Sequence, residues 1–202
     1  MPKVLAMNHQ LSNAEVLHWL KQKRLQHDQE DADDRSAGKT PSTRPSNYAR
    51  ALEKHEHHLT SASYPYVANP SAYEGKNQDD SVHRFGDVHM TKIQEPLLEK
   101  YKTAIRDKLM TVKEAQDKLA VEQEQKELTD AELLMVHNHA PMAAEMLQPM
   151  IEDWEKRFSY EEMEVLVECI KGVFRADEMR AKEEERDGEP EPVPTPSDEQ
   201  LR

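Results

Sequence analysis

Ten histidines and one cysteine carry most of the reactive chemistry that this chain could offer. Three of the histidines sit together in His55-Glu56-His57-His58. On a helix, His55 and His58 would share a face and could grip a cation. A structural or catalytic zinc site needs three or four ligands, and neither a cysteine nor a third suitably spaced histidine accompanies this pair. A solvated polar helix end is therefore expected there. His137 and His139 flank Asn138 at what reads as a helix end, where imidazoles can bond the last free carbonyls or oppose the helix dipole. A structural role is expected for both. Cys169 falls on the apolar side of a helical pattern and reads as a small core residue rather than a nucleophile. A single cysteine permits no internal disulfide, which points to a reducing, intracellular setting. None of the five glycines lies in a phosphate-cradling arrangement, and neither a His-Glu-x-x-His motif nor a serine in a nucleophile elbow occurs. No catalytic residue, cofactor-binding residue or metal ligand is assigned, and a role in contact rather than in catalysis is expected.

The elements that would position such a contact surface centre on residues 127–174. Thr129 with Glu132, and Ser159 with Glu162, have capping-box spacing, in which hydroxyl and carboxylate reciprocally satisfy free backbone N–H groups at a helix start. Pro141 disfavours helical geometry at Ala140 and cannot donate a backbone hydrogen bond, so a turn is expected at 138–141. Three apolar stripes at spacings of three and four predict three helices, each with one buried face. The first is Leu128, Leu133, Leu134 and Val136. The second is Met146, Leu147, Met150, Ile151, Trp154 and Phe158, and the third Met163, Leu166, Val167, Ile170 and Phe174. Trp154 and Leu166 are expected to face one interior.

This block resembles a known family. The run LTDAELLMVHNHAP, followed by Phe158 and a Ser-x-x-Glu helix start, is similar to the signature of the small stalk subunit of RNA polymerases, most closely its RNA polymerase III version. The matching residues are Leu128, Thr129, Ala131, Glu132, Leu134, Asn138, His139 and Pro141. The likeness covers about a quarter of the chain strongly, and it returns weakly at the N-terminus in an LSN-x-EV run. The resemblance implies a small helical domain of the HRDC-like kind that pairs with a larger, OB-barrel-containing stalk subunit.

The rest of the chain is polar. Hydrophobic residues make up 36% and charged residues 33%, with a mean hydropathy of -0.95, too polar for one packed core of this length. The formal charge of -13 argues against this chain alone gripping a phosphate backbone, so contact with nucleic acid would be indirect, through a partner. No apolar run is long enough for a membrane span or a signal peptide. Residues 1–26 read as an arm and helix. Val4, Leu5 and Met7 form a short apolar patch, and Ser12 with Glu15 opens a helix carrying Val16, Leu17, Trp19, Leu20 and Leu25. This segment either covers its own core or packs on the larger subunit, and Val4, Leu5, Val16 and Leu20 are the candidate partner-binding residues. Residues 27–95 read as linker and irregular insertion, flexible over 27–47, with a short helix near 48–59 and an irregular loop over 64–90. From residue 96 to 127 a narrow stripe of Leu97, Tyr101, Ile105, Leu109, Val112 and Leu119 predicts one long helix, or two broken near Thr111, packed on one neighbour. That stretch is longer than the resemblance implies. Residues 96–176 would form the HRDC-like domain, and 177–202 a disordered acidic tail.

The expected fold is thus all-α: a small HRDC-like helical domain with an N-terminal arm and long extensions that are disordered or ordered by a partner. The resemblance implies a non-catalytic, nuclear subunit of DNA-directed RNA polymerase III. It would form the stalk heterodimer with the larger subunit and, with the polymerase core and its initiation factors, support transcription of small non-coding RNA genes. Two other classes fit a polar helical chain. One is a signalling adaptor resembling a peptide-hormone receptor component, although no basic amphipathic face, lipidation signal or spanning helix supports it. The other is a free-standing HRDC-type nucleic-acid-binding module, against which the acidic charge balance speaks.

Overall fold

The centre of the structure is a 15-residue helix, Tyr160–Phe174 (α11), that buries Met163, Leu166, Val167, Ile170, Val173 and Phe174 along one broad face. The computed structural model describes residues 11–41, 44–45, 47–74 and 77–188. Among these, secondary structure is helical, with no strand. In chain order the elements before α11 are α1 (Asn13–Ser36), α2 (Tyr48–Leu59), α3 (Pro65–Ala68), α4 (Pro70–Tyr73) and α5 (Asn77–His89), a π-helical segment Met90–Gln94, then α6 (Glu95–Arg106), α7 (Val112–Lys126), α8 (Asp130–His139), α9 (Ala144–Leu147) and α10 (Trp154–Arg157). Helix α12 (Ala176–Gly188) follows α11. The all-α fold class expected from the sequence is what the chain adopts.

Local sequence explains where the helices begin. Ser12, Thr111, Thr129 and Ser159 each cap a helix through a complete capping box with the glutamate three residues on, so four starts are fixed by side-chain hydrogen bonds. The turn expected at 138–141 is present: α8 ends on Ala140 in the left-handed conformation, and Pro141 behind it is fully buried.

Several sequence-based expectations are corrected. Residues 64–90 are not an irregular loop. They form α3, α4 and α5, and their Tyr66, Tyr73 and Phe85 belong to the same buried cluster as Leu147, Leu166 and Phe174. Pro65 and Pro70, which suggested a loop, each occupy the first turn of a short helix, where a missing N–H costs nothing. The main core therefore draws on residues from Leu17 to Phe174, and it does not start at residue 96.

Residues 27–47 are not wholly a linker either, because α1 continues to Ser36. Side-chain pairs one turn apart support its polar half, Gln26 to Glu30 at 2.8 Å and Gln29 to Asp33 at 3.1 Å, and Arg44 folds back onto Asp31 and Glu30. The 96–127 stretch is two helices. Lys108 in the left-handed region ends α6, Thr111 restarts the chain, and the stripe closes on itself: Leu97, Tyr101 and Ala115 are buried, with Ile105, Met110 and Leu119 against them. The middle helix expected between residues 146 and 158 is instead α9, a 3-10 turn Gln148–Met150 and α10, because Pro149 and the left-handed Asp153 interrupt it. Trp154 only flanks the core that Leu166 fills.

Phe85 provides the check on this topology. Phe85→Ala should destabilise the protein by about 3–5 kcal/mol, as removal of a buried aromatic does, and half-buried Trp154→Ala by clearly less. Urea denaturation of both variants measures this; a Phe85→Ala loss no larger than that of an exposed residue would contradict the buried α5.

Candidate partner-binding site

The signature residues converge on the two ends of α8. At its start, Thr129 accepts the Glu132 N–H at 3.3 Å, and Glu132 accepts the Thr129 N–H at 2.8 Å. Glu132 is nearly fully buried and also accepts the Glu152 N–H at 2.9 Å and the guanidinium of Arg157. Burial alone would raise the Glu132 carboxyl, but the hydrogen bonds from Arg157, Thr129 and Glu152 outweigh it and hold the group below the usual carboxylate range. Arg157 is the hub that sequence reading missed. Besides Glu132 it donates to the carbonyls of Gln125 at 2.8 Å, Glu127 at 2.6 Å and Glu152 at 3.0 Å. An arginine in a charged WEKR run carries no signal of this in the sequence.

At the other end, Asn138 Oδ1 accepts the backbone N–H of Asn13 at 2.8 Å. That N–H is one of the free donors at the start of α1, so a signature side chain ties the N-terminal helix to the domain across 125 residues of sequence. Ala140 and His139 present their carbonyls to Arg175, at 2.6 and 3.3 Å. His139 itself is exposed. The ring of His137 makes neither the carbonyl bond nor the dipole contact expected at this helix end. It is buried between Tyr73 and Phe174, with ring centroids 4.7 and 5.4 Å away, and among the described residues its Nε2 has no hydrogen-bond partner. Burial pushes its pKa down to about 4, so it is neutral at physiological pH and cannot oppose the helix dipole with charge. Tyr73 Oη donates to the carbonyl of His137 at 2.8 Å, taking the role of satisfying the helix end.

The candidate partner-binding residues are divided. Val4 and Leu5 lie outside the described residues. Leu20 is 4% exposed and Val16 is half-buried, so α1 turns these side chains toward its own chain, where Leu17 joins the main core and α2 packs alongside. The outward apolar side chains of α1 are Trp19 and Leu25, 48% and 69% exposed. A second apolar surface is a recess of about 1070 Å³ between α5, residues 142–145 and α11, lined by Val88, Met142, Ala144, Val165 and Cys169 with Lys92 at its edge. Burial pushes the Cys169 thiol up, which disfavours the reactive thiolate. The histidines at 55–58 stand on α2, and His58 Nε2 lies 3.1 Å from Tyr64 Oη. Among the described residues no group of three or more His, Cys, Asp or Glu side chains is placed to hold a metal ion, and no helix is long and apolar enough to cross a membrane.

The buried imidazole has a consequence for pH. The unfolded chain binds a proton at His137 near pH 6.5, whereas the folded chain resists it until about pH 4; stability is therefore intact above 6.5 and is lost as pH falls between those values. Linkage puts the loss at about 2 kcal/mol between pH 7 and pH 5, and His89, also lowered by burial, adds in the same direction. Urea midpoints should fall over this range in the natural chain and fall less in His137→Phe. A midpoint in the natural chain that is flat from pH 7 to 5 would contradict the buried neutral imidazole.

The chain matches the family described as RNA polymerase Rpb4 over residues 10–174, the span that runs from the start of α1 to the end of α11. No curated protein and no solved structure matches it significantly. With the family covering the tie between α1 and α8, the hub at Arg157 and the whole main core, this chain belongs to the RNA polymerase Rpb4 family, a family of non-catalytic polymerase stalk subunits.

Proposed function

We propose that this chain is the small stalk subunit of RNA polymerase III, paired with the larger, OB-barrel-containing stalk subunit in the nucleus and supporting initiation at genes for small non-coding RNAs. The observation that carries the reading is the LTDAELLMVHNHAP block. Its Thr129, Glu132, Asn138 and Pro141 are all used structurally, and the resemblance of that block is closest to the polymerase III version. The acidic charge supports indirect contact with nucleic acid, through the partner.

The partner-binding surface is best placed at the N-terminus. Leu17 and Leu20 of α1 are buried within this chain, and Val4 and Leu5 of the sequence remain the aliphatic candidates for the partner. Trp19, exposed on the outer face of α1, is a further candidate. Burial of such aliphatic side chains on a partner stabilises a complex by roughly 1.5–3 kcal/mol for each one fully covered.

Two measurements test this together. Tagged full-length chain recovered from cells should bring down subunits specific to polymerase III; recovery with polymerase II alone, or with a membrane receptor complex, would overturn the assignment. Deleting residues 1–10 should leave the melting transition in place and weaken binding to the larger stalk subunit at least tenfold, about 1.4 kcal/mol. Equal affinities would remove the arm from the interface.

A further inference from the structure

Helices α6 and α7 form a hairpin with its own small core of Leu97, Tyr101 and Ala115, separate from the main core. Its root is firmly held. Gln94 in the π-helical segment donates to the Gln123 carbonyl at 3.4 Å, Lys126 pairs with Glu162, and Arg157 holds the Gln125 carbonyl. At ~1.5 Å per residue the two helices carry the tip about 20 Å from that root. The tip is built rather than frayed. Asp107, Lys108 and Leu109 donate backbone hydrogen bonds to the carbonyls of Thr103, Ile105 and Ala104 at 2.9 to 3.0 Å, and Thr111 with Glu114 caps the returning helix.

On this ordered tip the chain exposes aliphatic side chains. Leu109 is 77% exposed and Val112 55%. Around them stand exposed Arg106, Lys108 and Lys113; among the described residues the ion-pair partner of Arg106 is the adjacent Asp107, at 3.4 Å. Lys100 and Lys102, lower on the hairpin, are paired with Glu122 and Glu99; the tip itself, residues 106–114, holds Arg106, Lys108 and Lys113 against Asp107, which faces Arg106, and Glu114, whose carboxylate caps α7, in a chain whose net charge is -13. The tip is thus a cationic, aliphatic knob on an acidic protein.

We propose that this knob docks into an apolar recess rimmed by aspartate and glutamate on another protein of the transcription machinery, Leu109 and Val112 entering the recess and Lys108 and Lys113 meeting the acidic rim. Charge complementarity selects an anionic partner. The aliphatic pair selects protein over nucleic acid, since single-strand binding relies on aromatic platforms for base stacking and the one aromatic residue of the hairpin, Tyr101, is buried with its hydroxyl on Glu122 at 2.7 Å. The choice of machinery rests on the polymerase reading above.

The test uses the full-length chain in cells with the photoreactive substitution Leu109→p-benzoylphenylalanine, followed by irradiation, recovery and sequencing of the adduct. The expected result is one dominant adduct on a peptide of another protein that carries several acidic residues, with Lys108→Glu and Lys113→Glu together lowering its yield at least tenfold. An adduct on RNA or DNA, an adduct on this chain's own acidic residues 189–202, a scatter of weak adducts, or a yield unchanged by the charge reversal would each overturn the proposal. The proteins recovered alongside separate the two readings: polymerase subunits present without the acidic adduct sink the knob alone, and the acidic adduct without polymerase subunits sinks the polymerase assignment alone.

Discussion

The buried contact between Glu132 and Arg157 is the constraint on which the connections of this domain depend. One carboxylate completes the capping box of α8, receives the Glu152 N–H and neutralises Arg157. The same guanidinium satisfies carbonyls at the end of α7 and in the turn before α10. The α7–α8 junction and the turn before α10 thus meet at one ion pair in which side-chain exposure is only 14% and 6%. An ion pair of that kind is stabilising only when every donor and acceptor is matched, and here the carbonyls of three residues take up the remaining guanidinium hydrogens. Its removal would leave the hairpin root, α8 and α10 without a common anchor.

The aromatic side of the core supplies the second organising feature. Tyr66, Tyr73, His137, Phe174 and Phe85 follow one another with ring centroids 4.7 to 5.9 Å apart, and they come from α3, α4, α8, α11 and α5. Asn69, fully buried, donates to the Pro65 carbonyl and accepts the Glu178 N–H, so the short helices α3 and α4 are fastened to the start of α12. Ser71 adds two hydrogen bonds to Asp177. Helix α12 therefore leaves the domain in a set direction although its own sequence has almost no apolar face.

Helix starts were legible in the sequence because capping boxes are local: Ser12, Thr129 and Ser159 each act with a residue three positions away, and the stripe of α11 reads directly as its buried face. The segment 64–93 was not legible for the opposite reason. Its helices are short, two open on proline, and each contributes one or two aromatic residues whose value lies in distant partners such as Phe174 and His137. Periodicity cannot register a single tyrosine per helix. The α1 stripe was read too broadly. Leu17 and Leu20 face inward while Trp19 and Leu25 do not, a distinction that depends on where α2 and α4 lie. The signature residues were recognised, but the partners that give them meaning, Arg157 for Glu132 and Asn13 for Asn138, become visible only in three dimensions.

The structural account holds that α1, the α3–α5 segment and the signature helices form one cooperative unit, with family identity resting on that unit rather than on the 127–174 block alone. Amide hydrogen exchange of the full-length native chain tests this most directly, since amides that open only through global unfolding share the same protection. The account predicts that buried amides of α1 near Leu17 and of α5 near Phe85 exchange as slowly as those of α11 near Leu166. Rapid exchange in α1 and α5 beside a protected α11 would show the small domain folding without them and would contradict it.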